Sequence, residues 1–285
     1  MCKSHITVRK FAKLFLEVMF YHIVIALIFL AARAEKFTVL SFIIRILPVS
    51  EISHGFGNSF LVFYLFIPFL TILVQNMNER QHILLLLWCG FTYIFMGTVP
   101  KLFVTMNYVS WFSVIFVIAS YIRLYPKQLY KSTRLWGRLT LLVLAIDILS
   151  IIACAWLSAK TGKTLAYAFV KDSNTFLAVV TSICAFLFFK NLKIPYSKFI
   201  NTVASTCFGV LLIHANSDTM RRLLWQDLFD CVGHYSSRYM PLLAVGDVLL
   251  VFAVCTIIDL IRIRLFEEPF FAFWDAHWGE PAGGR

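Results

Sequence analysis

Phe208-Gly-Val-Leu-Leu-Ile-His214-Ala-Asn216 closes an apolar run with an imidazole and a carboxamide, and an arginine pair, Arg221-Arg222, follows. A membrane span usually ends in aromatic or basic anchors. An ionisable side chain inside a span is costly and tends to face a polar interior, which makes it a candidate functional residue. Two readings of His214 stand side by side. It is an interfacial ring touching water and headgroups, or it lines a polar cavity. Either way, the stretch reads as the end of a membrane-crossing helix.

The rest of the chain agrees with that reading. The 285 residues are 60% apolar and 14% charged, with a mean hydropathy of +0.79. A soluble domain is about 45–50% apolar and about 25% charged. A span needs about 20 mostly apolar residues. Eight segments qualify, at 12–32, 58–76, 82–99, 108–125, 139–158, 173–189, 199–215 and 241–261. The expected fold is an all-α polytopic transmembrane bundle covering 1–278, with 279–285 as a disordered tail.

Lys+Arg 26 against Asp+Glu 15 gives a formal charge of +11. With eight crossings and an inner N-terminus, 16 of the 26 basic residues fall inside and 10 outside. Basic residues gather on the cytoplasmic side, so the expected orientation is N-in, C-in. The charge is thus explained by topology and a bilayer partner, with no nucleic acid implied. The outer set, which includes Arg221 and Arg222, is large for a translocated face and suits an anionic ligand.

The seven cysteines are scattered, without a Cys-x-x-Cys or Cys/His cluster, so neither zinc nor a disulfide framework is expected. Inner loops are short and basic, notably Pro126–Arg138 with Lys127, Lys131, Arg134 and Arg138. After Ser217, Met220, Leu223, Leu224 and Leu228 recur at helical spacing, which predicts an interfacial helix with Arg221 and Arg222 on its wet side. Glu17 lies one turn from Lys13 and reads as a headgroup-level ion pair. Asp259 near Arg262 reads as an interface pair at the end of the last span. Asp147 is the deepest carboxylate and must be paired, protonated or hydrated. No catalytic triad order, zinc-protease motif, P-loop or dinucleotide fingerprint occurs.

Five stretches, in order, resemble the acyltransferase-3 family, especially its polysaccharide O-acetyltransferase-like bacterial members. They are Lys10–Tyr21, Leu47-Pro48 with Ser59–Leu70 and Gln81-His82, Tyr121–Tyr125, Phe186–Ile194 with Phe208–His214, and Ile258–Arg262. The resemblance implies transfer of an acyl group, usually acetyl, from a cytoplasmic CoA thioester to a glycan hydroxyl beyond the membrane. It implies acetyl-CoA as donor substrate, no bound cofactor, and residence in a bacterial cytoplasmic membrane. On that reading Lys127, Lys131, Arg134 and Arg138 attract the CoA phosphates, though positive-inside bias accounts for them equally. His214, Asn216 and Arg222 line the outer mouth, where such groups suit sugar hydroxyls and lipid pyrophosphates.

The chain also departs from the family. Ten spans are expected there, and eight are found here. The family's presumed catalytic histidine follows a basic residue with ten residues between. Here the partner positions of His22, His54, His82, His214, His234 and His277 are Phe11, Ile43, Thr71, Val203, Leu223 and Phe266. None is basic, so the catalytic residue is unknown and is expected upstream of Met1. The chain is then a fragment or a degenerate relative, inactive as it stands. Gly57-Asn58 also replaces an aromatic pair that contacts substrate in the family. A non-catalytic glycan-binding scaffold remains open, and so does a lipid or glycan transporter, although no internal repeat supports the latter.

Overall fold

The computed structural model describes residues 7–35, 38–47, 55–99, 107–162 and 168–278. The expected tail 279–285, Pro48, and Lys36, Lys101 and Lys163 lie outside them. The molecule is all-helical, 83% helix, with no strand among the described residues. The helices are α1 (Val8–Ala31), α2 (Val39–Ile46), α3 (Phe56–Gln75), α4 (Glu79–Thr98), α5 (Tyr108–Leu124), α6 (Thr133–Thr161), α7 (Phe176–Asn191), α8 (Lys198–His214), α9 (Asp218–Leu228) and α10 (Met240–Trp278). Five of them, α1, α3, α4, α6 and α10, are long and apolar enough to cross a membrane. A sixth candidate is α8 with α9, a pair bent by 96° at its break. Two apolar helices, α5 and α7, are shorter. Their composition makes the chain an integral membrane protein. A helix covers each of the eight apolar segments expected from the sequence.

Helix ends follow local chemistry. Asn78 and Gln81 form a reciprocal capping box before α4, the Asn78 side chain accepting from the Gln81 backbone N–H at 2.9 Å and the Gln81 side chain from the Asn78 N–H at 3.0 Å. Ser132, Ser197 and Ser217 cap α6, α8 and α9 by accepting from the N–H three residues on. Gly162, at φ +68, stops α6 in the left-handed conformation that glycine adopts without penalty. Most of the α6 surface is apolar and exposed, including Leu141, Leu149, Ile152 and Trp156, which suits hydrocarbon rather than water.

Packing divides the chain into two compact units. The described residues of the first fall in Ile52–Pro195, where α3 packs on α5 through Phe63, Ile67, Val74, Phe112 and Phe116. A second cluster joins Trp111 and Val114 of α5 to Val179 of α7. The α6–α7 pair is the most extensive contact of this unit, and Phe188 lies against Gly137, where a side chain would leave it no room. The other unit comprises Thr7–Glu51 and Tyr196–Arg285. There α8 packs on α10, with Thr206 and Thr256 hydroxyls 3.4 Å apart, and α1 packs on α8.

Candidate functional site

The expected acceptor-side residues flank the break between α8 and α9, with His214 and Asn216 outside the recess that Arg222 borders. His214 is the last residue of α8 and is half-buried. Its Nδ1 lies 2.7 Å from the Val210 carbonyl oxygen. A carbonyl only accepts, so Nδ1 carries the hydrogen and the neutral ring keeps its lone pair on Nε2. Asn216 turns back to donate to the Leu212 carbonyl at 3.3 Å. The Leu212 carbonyl is one of the last four, which a helix end leaves open, and the Asn216 carboxamide satisfies it. Beyond the 96° bend, Arg221 and Arg222 share a recess of about 430 Å³ with Asp218, Trp225 and Gln226. Arg221 donates to Asp218 at 2.8 Å, and Arg222 approaches Asp227 at 4.0 Å. Both arginines remain exposed, as their expected place on a wet helix face requires.

The basic inner segment belongs to the other unit. Lys127 lies 3.3 Å from Glu79, which also accepts from the Tyr121 hydroxyl at 3.0 Å. The Tyr121 hydroxyl, and after it the Glu79 carboxylate, raise the Lys127 ammonium above the ordinary lysine value. Lys131, Arg134 and Arg138 are exposed, with no carboxylate partner among the described residues. Arg134 and Arg138, four apart near the start of α6, share a helix face. Also in this unit, Asp147 Oδ2 accepts from the Thr181 hydroxyl at 2.8 Å, while Oδ1 has no partner. His82 is fully buried, with Nε2 3.0 Å from the Val117 carbonyl.

The densest polar arrangement is one that sequence reasoning missed. Arg262 of α10, 5% exposed, holds three carboxylates at once. Its Nε donates to Asp259 Oδ1 at 2.7 Å, Nη2 to Glu17 Oε1 at 3.1 Å and Nη1 to Glu267 Oε2 at 2.9 Å. Asp259 Oδ1 accepts further from the Tyr21 hydroxyl at 2.6 Å. Lys13 Nζ reaches the other oxygen of Glu267 at 2.6 Å. One turn nearer the start of α1, Arg9 grips Asp275 through both carboxylate oxygens, at 2.6 and 2.8 Å.

Two local features build this network. Glu267 sits five residues after Arg262, a spacing that leaves an α-helix facing elsewhere; a π turn over Ile263–Glu267 brings the pair together. Gly209 of α8 lets the Asp259 carboxyl lie so close that any Cβ there would overlap it. Asp259 Oδ2, fully buried, has no hydrogen-bond partner among the described residues.

Two sequence expectations are corrected here. Glu17 does not pair with Lys13 at headgroup level; it pairs with Arg262, and Lys13 pairs with Glu267. A bidentate guanidinium holds buried carboxylates better than a flexible ammonium does. The Asp259–Arg262 pair exists but is buried rather than interfacial, because α10 continues to Trp278 instead of ending near 261. Of the signals in the sequence, only the i, i+3 spacing of Asp259 and Arg262 pointed toward this site.

Among the described residues no group of three or more His, Cys, Asp or Glu is placed to hold a metal ion, and the six described cysteines are free thiols. Fold and polar sites together define an all-helical integral membrane protein. Against protein-family models, curated proteins and solved structures, the chain matches none.

Proposed function

We propose that the chain is a membrane-bound acyltransferase, moving an acetyl group from acetyl-CoA to a hydroxyl of a cell-surface or exported glycan across a bacterial cytoplasmic membrane. The observation that carries this reading is the set of polar side chains flanking the α8–α9 break, His214 and Asn216 on one side and, on the other, Arg222 bordering a recess with Trp225 and Gln226. An aromatic face, a carboxamide and a guanidinium are the groups a sugar or a lipid pyrophosphate would use. An imidazole beside them would position a sugar hydroxyl by hydrogen bonding, and the general base is left unassigned. In the other unit, Lys131, Arg134 and Arg138, exposed and without a carboxylate partner among the described residues, are the cations for the CoA phosphates.

The same reading carries an arrangement of eight crossings with both ends cytoplasmic, supported by the 16-to-10 division of basic residues. A non-catalytic glycan-binding relative is the alternative, favoured by the want of a basic residue eleven positions before any histidine tested for it.

Binding and turnover separate the two. Purified chain should bind acetyl-CoA saturably, and Arg134→Gln with Arg138→Gln should weaken that binding by about tenfold. Where acetyl transfer to glycan is measurable, His214→Ala should lower it by about tenfold, on the order of 1.4 kcal/mol of transition-state stabilisation, at unchanged protein level. A rate within about twofold of wild type returns His214 to a helix-capping role. Glycan binding without transfer establishes the scaffold.

A further inference from the structure

Between α1 and α10 lies a cavity of about 340 Å³ with a mixed wall. Part of it is ionic, formed by Lys13, Glu17, Arg262 and Glu267. The rest is apolar and largely aromatic, with Met19, Phe20, Ile23, Phe266 and Phe270. A second recess of about 280 Å³ shares Lys13, Glu267 and Phe271 with it and adds Arg9, Glu268 and Asp275. The shared residues make the two recesses neighbours, the second with the charged lining of a mouth and the first with the apolar rings. Arg9 and Lys13 lie in the first two turns of a 24-residue apolar helix, which is headgroup depth for a spanning segment. An amphiphile with its head in the mouth and a chain against the rings fits such a wall.

The charges choose among headgroups. The mouth and the ionic part of the wall bring three cations, Arg9, Lys13 and Arg262, against four carboxylates, Glu17, Glu267, Glu268 and Asp275. Each cation is paired with at least one carboxylate. Glu268 is exposed and has no ion-pair partner among the described residues. An anionic headgroup would enter a lining that already leans negative. A zwitterion with a hydrogen-bonding ammonium supplies what Glu268 lacks. Its phosphate is met by Lys13, which has spent only one of its three N–H donors on Glu267.

We propose that these neighbouring recesses bind a phospholipid with a phosphoethanolamine headgroup. The ammonium sits at Glu268, the phosphodiester at Lys13, and one acyl chain lies along Phe20, Phe266 and Phe270. A choline headgroup carries the same charge but has no N–H for Glu268. The site does not depend on acyl transfer.

The test uses the delipidated full chain in detergent, titrated separately with dioleoyl phosphatidylethanolamine, phosphatidylcholine and phosphatidylglycerol, and read by native mass spectrometry and thermal shift. Phosphatidylethanolamine should bind about tenfold more tightly than the other two, as losing a charge-assisted hydrogen bond implies. Glu268→Gln should remove that preference and leave the lipid-free melting temperature unchanged, because Glu268 has no ion-pair partner among the described residues. Equal binding of the three lipids, a preference for phosphatidylglycerol, or an undiminished preference in Glu268→Gln would each overturn the proposal and leave adventitious annular lipid only.

Discussion

At the scale of single residues, Arg262 is the side chain on which the most depends. Three buried carboxylates share its guanidinium, and removing one partner of a buried ion network leaves uncompensated charge, at a cost of about 3–5 kcal/mol. Arg262→Ala is therefore expected to abolish a folded, monodisperse peak in detergent size-exclusion chromatography. Arg262→Lys should rescue it only in part, since an ammonium lacks the forked geometry that serves three acceptors. Gly209 fails for the opposite reason, which is want of space. Gly209→Ala should cost about 1–3 kcal/mol by overpacking against Asp259, visible as a lowered melting temperature. The i, i+3 spacing made Asp259 and Arg262 readable as a pair. Glu17 lies 245 positions from Arg262, so its partner was set by packing, and Lys13 nearby offered a plausible wrong choice.

Among the elements, α4 and α7 show how an irregular helix is supported. The π turn at Gly90–Phe95 accompanies a hydrogen bond from Asn174 Nδ2 to the Tyr93 carbonyl at 2.8 Å. Asn174 also fills the space over Gly97. Thr98 accepts from the Phe176 N–H at 2.8 Å and so caps α7, whose own N-cap residue makes no such bond. Thr98→Val should cost about 1 kcal/mol, the usual worth of a cap. It should speed amide exchange at Phe176 and its neighbours while leaving α6 unaffected. Uniform acceleration through both helices would count against a local cap. The π turns were not legible in the sequence, since a one-residue insertion hardly disturbs an already apolar pattern. The true end of α10 was hidden too. Arg262, Arg264 and Glu267 look like a span boundary until their partners are seen.

Taken whole, the molecule carries a large apolar exterior, and the composition announced it. Which ends face which side is a separate matter, and α6 provides the handle. Its 29 residues reach about 43 Å at 1.5 Å per residue, beyond the ~30 Å hydrocarbon layer. Ser132→Cys and Thr161→Cys, at its two ends, should label from opposite sides with a membrane-impermeant maleimide, Ser132→Cys from within. Labelling of both from one side would sink the eight-crossing arrangement. The helical class and most helix positions were thus written in hydropathy. His214, Asn216 and Arg222 stood out in the sequence because they follow the close of an apolar run, but the recess around Arg222 needed the 96° bend, which no periodicity encodes.

The π turn at Ile263–Glu267 also fixes how this chain tolerates insertions and deletions. Each residue of an α-helix advances the azimuth by about 100°. A π turn takes up one residue more than an α-helix over the same arc. Deleting one residue within Ile263–Glu267 would restore ordinary winding and set Arg262 and Glu267 four apart, still on one face, so Asp275 would stay on Arg9 and Phe271 beneath the guanidinium that now lies 4.9 Å above its ring. The same deletion in the regular helix between Glu268 and Asp275 has no such slack and would swing Asp275 off Arg9 by about 100°.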